Sequence, residues 1–350
     1  MRRLPIFFVL DVSESMVGDN LRQMTQGMET LVKTLRTDPH ALESVYLSTI
    51  VFAGKARVLT PLVELVSFYS PRLPVGSGTS LGAALTTVMD EIDRSVVKGS
   101  AEVKGDWKPI VYLFTDGKPT DDAKRAIERW KRDYAQKASL VAVGIGPYAS
   151  LAVLSSMTDN AFHLKNESQE DFLAFVKWLS QSVSSQSQSV AATEKGAGVS
   201  LAKFDDSVLQ KIKDIAQAVT LDEDFVILTG KCESTKLPYI MRYRQLPESV
   251  ASTSDFHASA QSYELEGVFA LEKDYFELSD DRAMAKTIST DALIGAPGCP
   301  HCGARIGFAM CSCGGLHCLK SNDATCPWCN TKATYIAGEG SGFDVNRSRG

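Results

Sequence analysis

The sequence predicts an α/β fold, an open and mostly parallel sheet with helices on both faces, followed by a small β-rich domain with a zinc ribbon. Three observations predict it. Short apolar runs, such as residues 6–10 and 110–114, alternate with amphipathic stretches over residues 1–182. All-apolar runs suit strands covered on both faces, and strand–helix alternation is the pattern of a parallel sheet. Residues 183–200 then shift toward Ser, Gln, Ala and Gly, as a linker does. Finally, seven of the eight cysteines fall between Cys299 and Cys329.

In chain order, strands are expected at 4–10, 44–52, 110–115 and 140–144, with a shorter one at 161–164. Helices are expected at 20–36, 80–97, 121–138 and 167–182. Ser80 stands directly before the periodic Leu81, Ala84, Leu85 and Val88, the place of an N-cap. Residues 44–60, with Gly54 and Lys55 between two β-like pieces, read as a hairpin that adds an antiparallel edge. Beyond the linker, residues 201–296 read as a small β-rich domain, with strands at 224–229, 238–243 and 263–271 and a polar loop at 248–260. A zinc-binding ribbon follows at 297–336, and a Gly/Ser-rich flexible tail at 337–350.

A chain of 350 residues, 44% hydrophobic and 23% charged, is ample for a buried core. Its net charge of -5 and lack of a long basic tract give nucleic-acid binding no support. Arg2 and Arg3 before an apolar run resemble the start of a signal peptide. Asp11 interrupts that run too soon, and no small-residue cleavage site follows closely. No run approaches the roughly 18 apolar residues that cross a membrane. A cytoplasmic location is expected.

Asp11, Ser13 and Ser15 follow the first apolar run, Thr79 lies in the turn Gly76-Ser77-Gly78-Thr79-Ser80, and Asp116 ends the run 110–115. In an open α/β sheet the loops at the carboxyl ends of the strands converge on one face. Hard oxygens from three such loops suit Mg2+, which keeps some water in its shell. Singly, each residue reads as readily as a turn former or cap. Together they resemble the metal-ion-dependent adhesion site of the von Willebrand factor A domain, with all five positions intact. The resemblance implies that Asp11 and Asp116 act largely through water and that Ser13, Ser15 and Thr79 approach the ion more directly. It also implies an open coordination position that takes a carboxylate from a protein ligand. An intramolecular variant would draw that carboxylate from residues 222–224.

Cys299-Pro300-His301-Cys302 and Cys326-Pro327-Trp328-Cys329 are two Cys-x-x-Cys units, with 23 residues between Cys302 and Cys326. Four thiolates at that spacing suit one tetrahedral Zn2+, and duplicated units argue against a redox pair. Cys311, Cys313, His317 and Cys318 lie between them, as ligands of a second site or as thiols packed beside the first. Cys232 is expected as a core thiol, with a role in an additional site as its alternative. From about residue 222 to 336 the chain resembles the metal-binding C-terminal domain of TerY-type proteins of bacterial tellurite-resistance, stress-response and phage-defence systems. That resemblance implies an adaptor working with a serine/threonine kinase and a PPM-type protein phosphatase.

No catalytic residues are assigned. The five histidines are scattered, no nucleophile–base pair is legible, and Gly76-x-Gly78 lacks the lysine of a phosphate-binding loop. The expectation is therefore a non-enzymatic, metal-dependent adaptor. A zinc ribbon that binds nucleic acid through Lys320, Trp328 and Lys332 is the first alternative, and a metal-dependent hydrolase the second.

Overall fold

The computed structural model describes residues 2–100, 102–115, 119–146, 149–164, 169–192, 201–202, 209–211, 225–246, 262–280, 287–335 and 342–347. The chain divides into two compact units, Met1–Leu73 with Thr79–Val219 and Pro74–Gly78 with Thr220–Gly350.

The first unit runs β1 (Leu4–Asp11), α1 (Asp19–Leu35), α2 (Pro39–Ser44), β2 (Val45–Phe52), β3 (Ala56–Glu64), α3 (Leu81–Ser95), β4 (Ile110–Thr115), α4 (Lys124–Arg129), β5 (Ser139–Ile145), α5 (Leu151–Met157), β6 (Ala161–Leu164), α6 (Gln169–Ala192) and β7 (Leu209–Lys211). Among the described residues these strands form one sheet in the order β3-β2-β1-β4-β5-β6-β7. β2, β1, β4, β5 and β6 run parallel, while β3 and β7 close the two edges antiparallel. The apolar run of β1 has its cause here, because all eight of its residues are buried. Phe7 and Val9 pack with Leu81, Leu85 and Val88 of α3 and with Trp130 and Leu154. On the opposite face Phe8 stacks on Phe114, which meets Phe175 of α6 edge-on.

Two expectations change in this unit. The helix expected at 121–138 is the short α4, which opens into a wide turn at Trp130–Tyr134 where Ala135 N–H donates to the Trp130 carbonyl (3.0 Å). The linker expected from 183 is helical through Ala192. Val183, Gln186 and Ser187 lie on one buried face, and Ser187 Oγ is 2.8 Å from Ser44 Oγ of α2. Small polar side chains at helical spacing pack there, so their composition alone was misleading. Residues 193–200 lie outside the described residues.

The second unit runs β8 (Phe225–Lys231), β9 (Pro238–Gln245), β10 (Tyr263–Ala270), α7 (Tyr275–Leu278), β11 (Thr287–Ser289), β12 (Leu293–Ile294), β13 (Ile306–Met310), β14 (Leu316–Leu319), β15 (Asp323–Thr325), β16 (Lys332–Thr334) and β17 (Asp344–Asn346). Its main sheet has the order β12-β10-β9-β8-β14-β13. The β-rich domain and the ribbon, expected as separate modules, therefore share one sheet. β14 joins β8 in parallel, with Leu316 opposite Gly230 and His317 opposite Lys231. Part of the expected flexible tail is also a strand. β17 pairs with β11, and Val345 is buried in the core of this unit. The loop 248–260 and residues 222–224 lie outside the described residues. Among the described residues no helix is long and apolar enough to cross a membrane.

Candidate metal centres

β1 and β4 lie side by side in parallel register, Leu10 opposite Phe114, so their carboxyl ends open at the same edge of the sheet. Asp11 ends β1 fully buried. Its Oδ1 accepts the Ser13 N–H (2.9 Å) and its Oδ2 accepts the Thr115 hydroxyl (2.5 Å). The single turn at Glu14–Met16 folds the chain back, leaving Ser13 Oγ and Ser15 Oγ 3.0 Å apart. The Thr79 segment docks on the same part of the sheet. Ser80 N–H donates to the Ala53 carbonyl (2.6 Å), next to the Phe52 carbonyl that takes Val12 N–H (2.8 Å).

Thr79 is held by its backbone. Its N–H donates to Thr120 Oγ1 (2.8 Å), and its carbonyl accepts the Thr120 N–H (2.8 Å). Gly78 before it takes φ +88°, a conformation side chains resist. With the main chain fixed in this way, Thr79 Oγ1 is buried and has no hydrogen-bond partner among the described residues. A buried hydroxyl left unpaired costs on the order of 1–3 kcal/mol. A cation is one partner that removes that cost, and the buried oxygens of Asp11, Ser13 and Thr79 fit a hard ion. Asp116 lies outside the described residues.

Three residues of this edge were not singled out in the sequence. Thr115 orients Asp11, Thr120 clamps Thr79, and Asp121 accepts the N–H groups of Gly82 and Ala83 (both 3.2 Å). Asp121 thus caps α3, the task expected of Ser80. The Ser80 hydroxyl donates instead to the Gly54 carbonyl (2.7 Å). Only spatial proximity assigns such a cap, because Asp121 stands 39 residues beyond Gly82.

In the second unit the sulfurs gather as two groups of four. Cys232, Cys299, Cys302 and Cys318 form one, and Cys311, Cys313, Cys326 and Cys329 the other; within each group the ligand atoms lie within 4.8 Å of one another. Both clusters are able to chelate a metal ion. Four sulfurs about 2.3 Å from a shared zinc would stand about 3.8 Å apart. The separations Cys302–Cys318 (3.7 Å), Cys311–Cys329 (3.7 Å) and Cys313–Cys326 (3.8 Å) fit that tetrahedron. All eight cysteines are free of disulfides.

The four-sulfur site expected from Cys299, Cys302, Cys326 and Cys329 is therefore corrected, since its two pairs belong to different clusters. The register explains why. Lys231 of β8 stands opposite His317 of β14, so the next residues, Cys232 and Cys318, emerge together beside the first pair. The β13–β14 turn carries Cys311 and Cys313 to the second pair. Cys232, expected first as a core thiol and only alternatively in an additional site, joins the first cluster, and its turn has the backbone plan of the two knuckles. Cys232, Cys299 and Cys326 each donate N–H to the carbonyl five residues on (Leu237, 2.8 Å; Ala304, 2.8 Å; Thr331, 2.9 Å). The residues four positions on take positive φ: Lys236 +61°, Gly303 +70° and Asn330 +62°. Thr235 stands where the second sulfur of that third knuckle would be, and Cys318 supplies it instead.

His317 is no ligand in either group. Its buried ring has Nδ1 3.0 Å from the Cys318 carbonyl and Nε2 2.7 Å from the Tyr335 hydroxyl. A carbonyl only accepts, so Nδ1 donates to Cys318, and the Tyr335 hydroxyl engages Nε2. Trp328 is 37% exposed, and its Nε1 donates to the Leu316 carbonyl (2.7 Å). Without metal, protons are unevenly shared among the sulfurs. The Cys313 amide and neighbouring thiols hold Cys311 down to about 6 against the effect of burial. At Cys313 the Gly315 amide favours the thiolate, but burial and the sulfurs of Cys329, Cys311 and Cys326 outweigh it and push the thiol up to about 12. Burial raises Cys232, yet the Thr235 hydroxyl and the amides of Thr235 and Ser234 outweigh it and hold the thiol down to about 6. A divalent cation in place of the protons stabilises all four sulfurs of a group as thiolates.

Residues 6–177 match the von Willebrand factor type A domain family, and residues 222–350 the TerY-C metal binding domain family. Human Matrilin-3 is 25% identical over 171 residues, 47% of this chain and 34% of Matrilin-3, so the chain spans about a third of that relative's length. Among solved structures, proximal thread matrix protein 1 from the mussel byssus has a TM-score of 0.40 at 18% identity, covering 52% of this chain and 48% of that one. The pilus adhesin SpaC from Lactobacillus rhamnosus GG has a TM-score of 0.42 at 13% identity, covering 53% and 31% respectively.

Proposed function

The chain is a von Willebrand factor type A domain followed by a TerY-C metal binding domain, an order consistent with a TerY-type protein architecture, and from that premise we propose that it is a metal-dependent adaptor that captures protein partners. Both families are typically non-catalytic adhesion or metal-binding modules. In this reading Asp11, Ser13, Ser15, Thr79 and Asp116 hold Mg2+, and a Glu or Asp of the partner completes the shell. The observation that carries it is the buried, unpartnered Thr79 Oγ1 (among the described residues), at an edge where Asp11, Ser13 and Ser15 supply further oxygens. Asp11 and Asp116 would balance the cation's charge, and the hydroxyls would fix its position.

Zn2+ in each cysteine cluster would hold the second unit together, which suits a rigid docking surface better than a reacting centre. A closed four-sulfur site leaves no position for water or substrate. The partners we propose, a serine/threonine kinase and a PPM-type phosphatase in a bacterial stress, tellurite-resistance or phage-defence system, rest on the TerY-type resemblance. A cytoplasmic setting accords with eight free thiols.

The test is affinity capture from the native host in Mg2+, in chelator, and with Asp11→Ala, identifying bound proteins by mass spectrometry. Recovery of a kinase or phosphatase only with Mg2+ and the intact site is the expected result. Equal recovery in all three samples would sink the adhesion-site mechanism. Because a chelator also strips zinc, the Asp11→Ala sample assigns any loss to the first unit.

A further inference from the structure

We propose that the cluster of Cys311, Cys313, Cys326 and Cys329 is a site of reversible thiol oxidation by peroxide, with Cys329 as the sulfur attacked and Cys311 as the resolving thiol, while the cluster of Cys232, Cys299, Cys302 and Cys318 keeps its metal. The inference rests on the reading that both clusters hold a metal.

The two groups have the same ligand chemistry but different surroundings. Cys232, Cys299 and Cys318 are buried within the core of the second unit, among Val226, Tyr239 and Met241, and Cys302 is partly buried against it. A peroxide must enter that core to reach their sulfurs. In the other group Cys313 and Cys329 are exposed, while Cys311 and Cys326 are buried behind them. An attacked sulfur needs access to the oxidant, and a resolving sulfur needs proximity to the attacked one. Cys329 and Cys313 share the first property, and Cys311 (3.7 Å from Cys329 Sγ) and Cys326 (3.8 Å from Cys313 Sγ) share the second. The Thr331 hydroxyl, 3.3 Å from Cys329 Sγ and placed to hydrogen-bond its thiolate, assigns the attack to Cys329.

The Cys329 thiolate attacks one peroxide oxygen, forming an S–O bond as the O–O bond breaks. The hydroxide released takes a proton and leaves as water. The Cys311 thiolate then attacks the Cys329 sulfur, forming the S–S bond as the S–O bond breaks, and the second hydroxide is protonated to water. Two thiolates lose two electrons in all, and one peroxide gains them. Cys313 and Cys326 alone make too poor a ligand set for a structural zinc, so the cation leaves. A thiol reductant reverses the disulfide, and added zinc refills the site.

The full chain is purified under reducing conditions and its metal counted by mass spectrometry, with two zinc ions per chain expected. Hydrogen peroxide is then added, released zinc is followed with a chromogenic chelator, and disulfides are mapped after alkylation. The expected result is loss of one of the two ions with a Cys311–Cys329 disulfide, both reversed by reductant and zinc. Cys329→His, which keeps a metal ligand but removes the sulfur, is expected to hold two ions and to release zinc at least about tenfold more slowly. Release of both ions together, release of neither, or a first disulfide at any other pair overturns the proposal. Fewer than two ions before peroxide overturns the two-metal reading itself, and the initial count separates that failure from the others.

Discussion

A hydroxyl buried without a partner destabilises a fold, so Thr79 gives the cation reading its sharpest residue-level consequence. Thr79→Ala removes the unpaired oxygen, and in chelator its stability is expected to stay within about 1 kcal/mol of the parent. The parent is expected to gain thermal stability in Mg2+, by about 2.7 kcal/mol when the ion is at a hundred times its dissociation constant. Thr79→Ala is expected to lose most of that gain. Thermal unfolding of both proteins, with Mg2+ and with chelator, checks this, and an equal gain in the two would remove Thr79 from the ion's shell. Asp11, Ser13, Ser15 and Thr79, the proposed ligands, were singled out by their side-chain types and their places at segment ends. Thr115 and Thr120 were not, because a threonine that orients another residue looks like any other threonine at a strand end or in a loop. His317 is the converse case. Its place among the cysteines made it a candidate ligand, whereas its neighbours in space engage both ring nitrogens.

At the scale of elements, α3 begins beside Thr79, and the cap that fixes its first turn comes from the loop after β4. Asp121 takes two of the N–H groups that a helix start leaves free, and a carboxylate there also suits the positive end of the helix dipole. Asp121→Ala is expected to cost about 0.5–2 kcal/mol in chemical denaturation. It should also weaken any Mg2+-linked stabilisation, because the Thr79 turn leads straight into that helix. A loss confined to stability, with the Mg2+ response intact, would show that Asp121 is a cap alone. The strands of the first unit were readable from their apolar runs, since burial on both faces leaves few polar positions. α6 extended further than its composition suggested because burial of Val183, Gln186 and Ser187 follows from packing against neighbours, which a Ser/Gln-rich run does not announce.

For the molecule as a whole, the two units differ in what supports them. The first has, among the described residues, a seven-stranded sheet with helices on both faces, a core large enough to stand without metal. The second is smaller and builds three of its cysteines into its own core. Structural zinc contributes apparent binding energies of about 10–16 kcal/mol per site, as large as the roughly 5–15 kcal/mol that holds a typical domain folded. Complete metal removal with a strong chelator is therefore expected to unfold the second unit and leave the first protected. Hydrogen exchange read peptide by peptide checks this, and retained protection across β8, β9 and β14 after the metal is gone would show that their apolar core suffices.

The residue order was enough to give the α/β character of the first unit, the oxygen-bearing residues proposed as ligands at its strand ends and the metal-binding character of the cysteine-rich region. Each of these is a local matter of side-chain type and periodicity. How the eight sulfurs divide became visible in the folded chain alone. Two Cys-x-x-Cys units close in sequence read as one site, yet the parallel register of β8 and β14 brings Cys232 to Cys318, and the β13–β14 turn carries Cys311 and Cys313 away to the other pair. Ligand sets are chosen by which strands pair, and pairing over some 85 residues leaves no mark in local spacing.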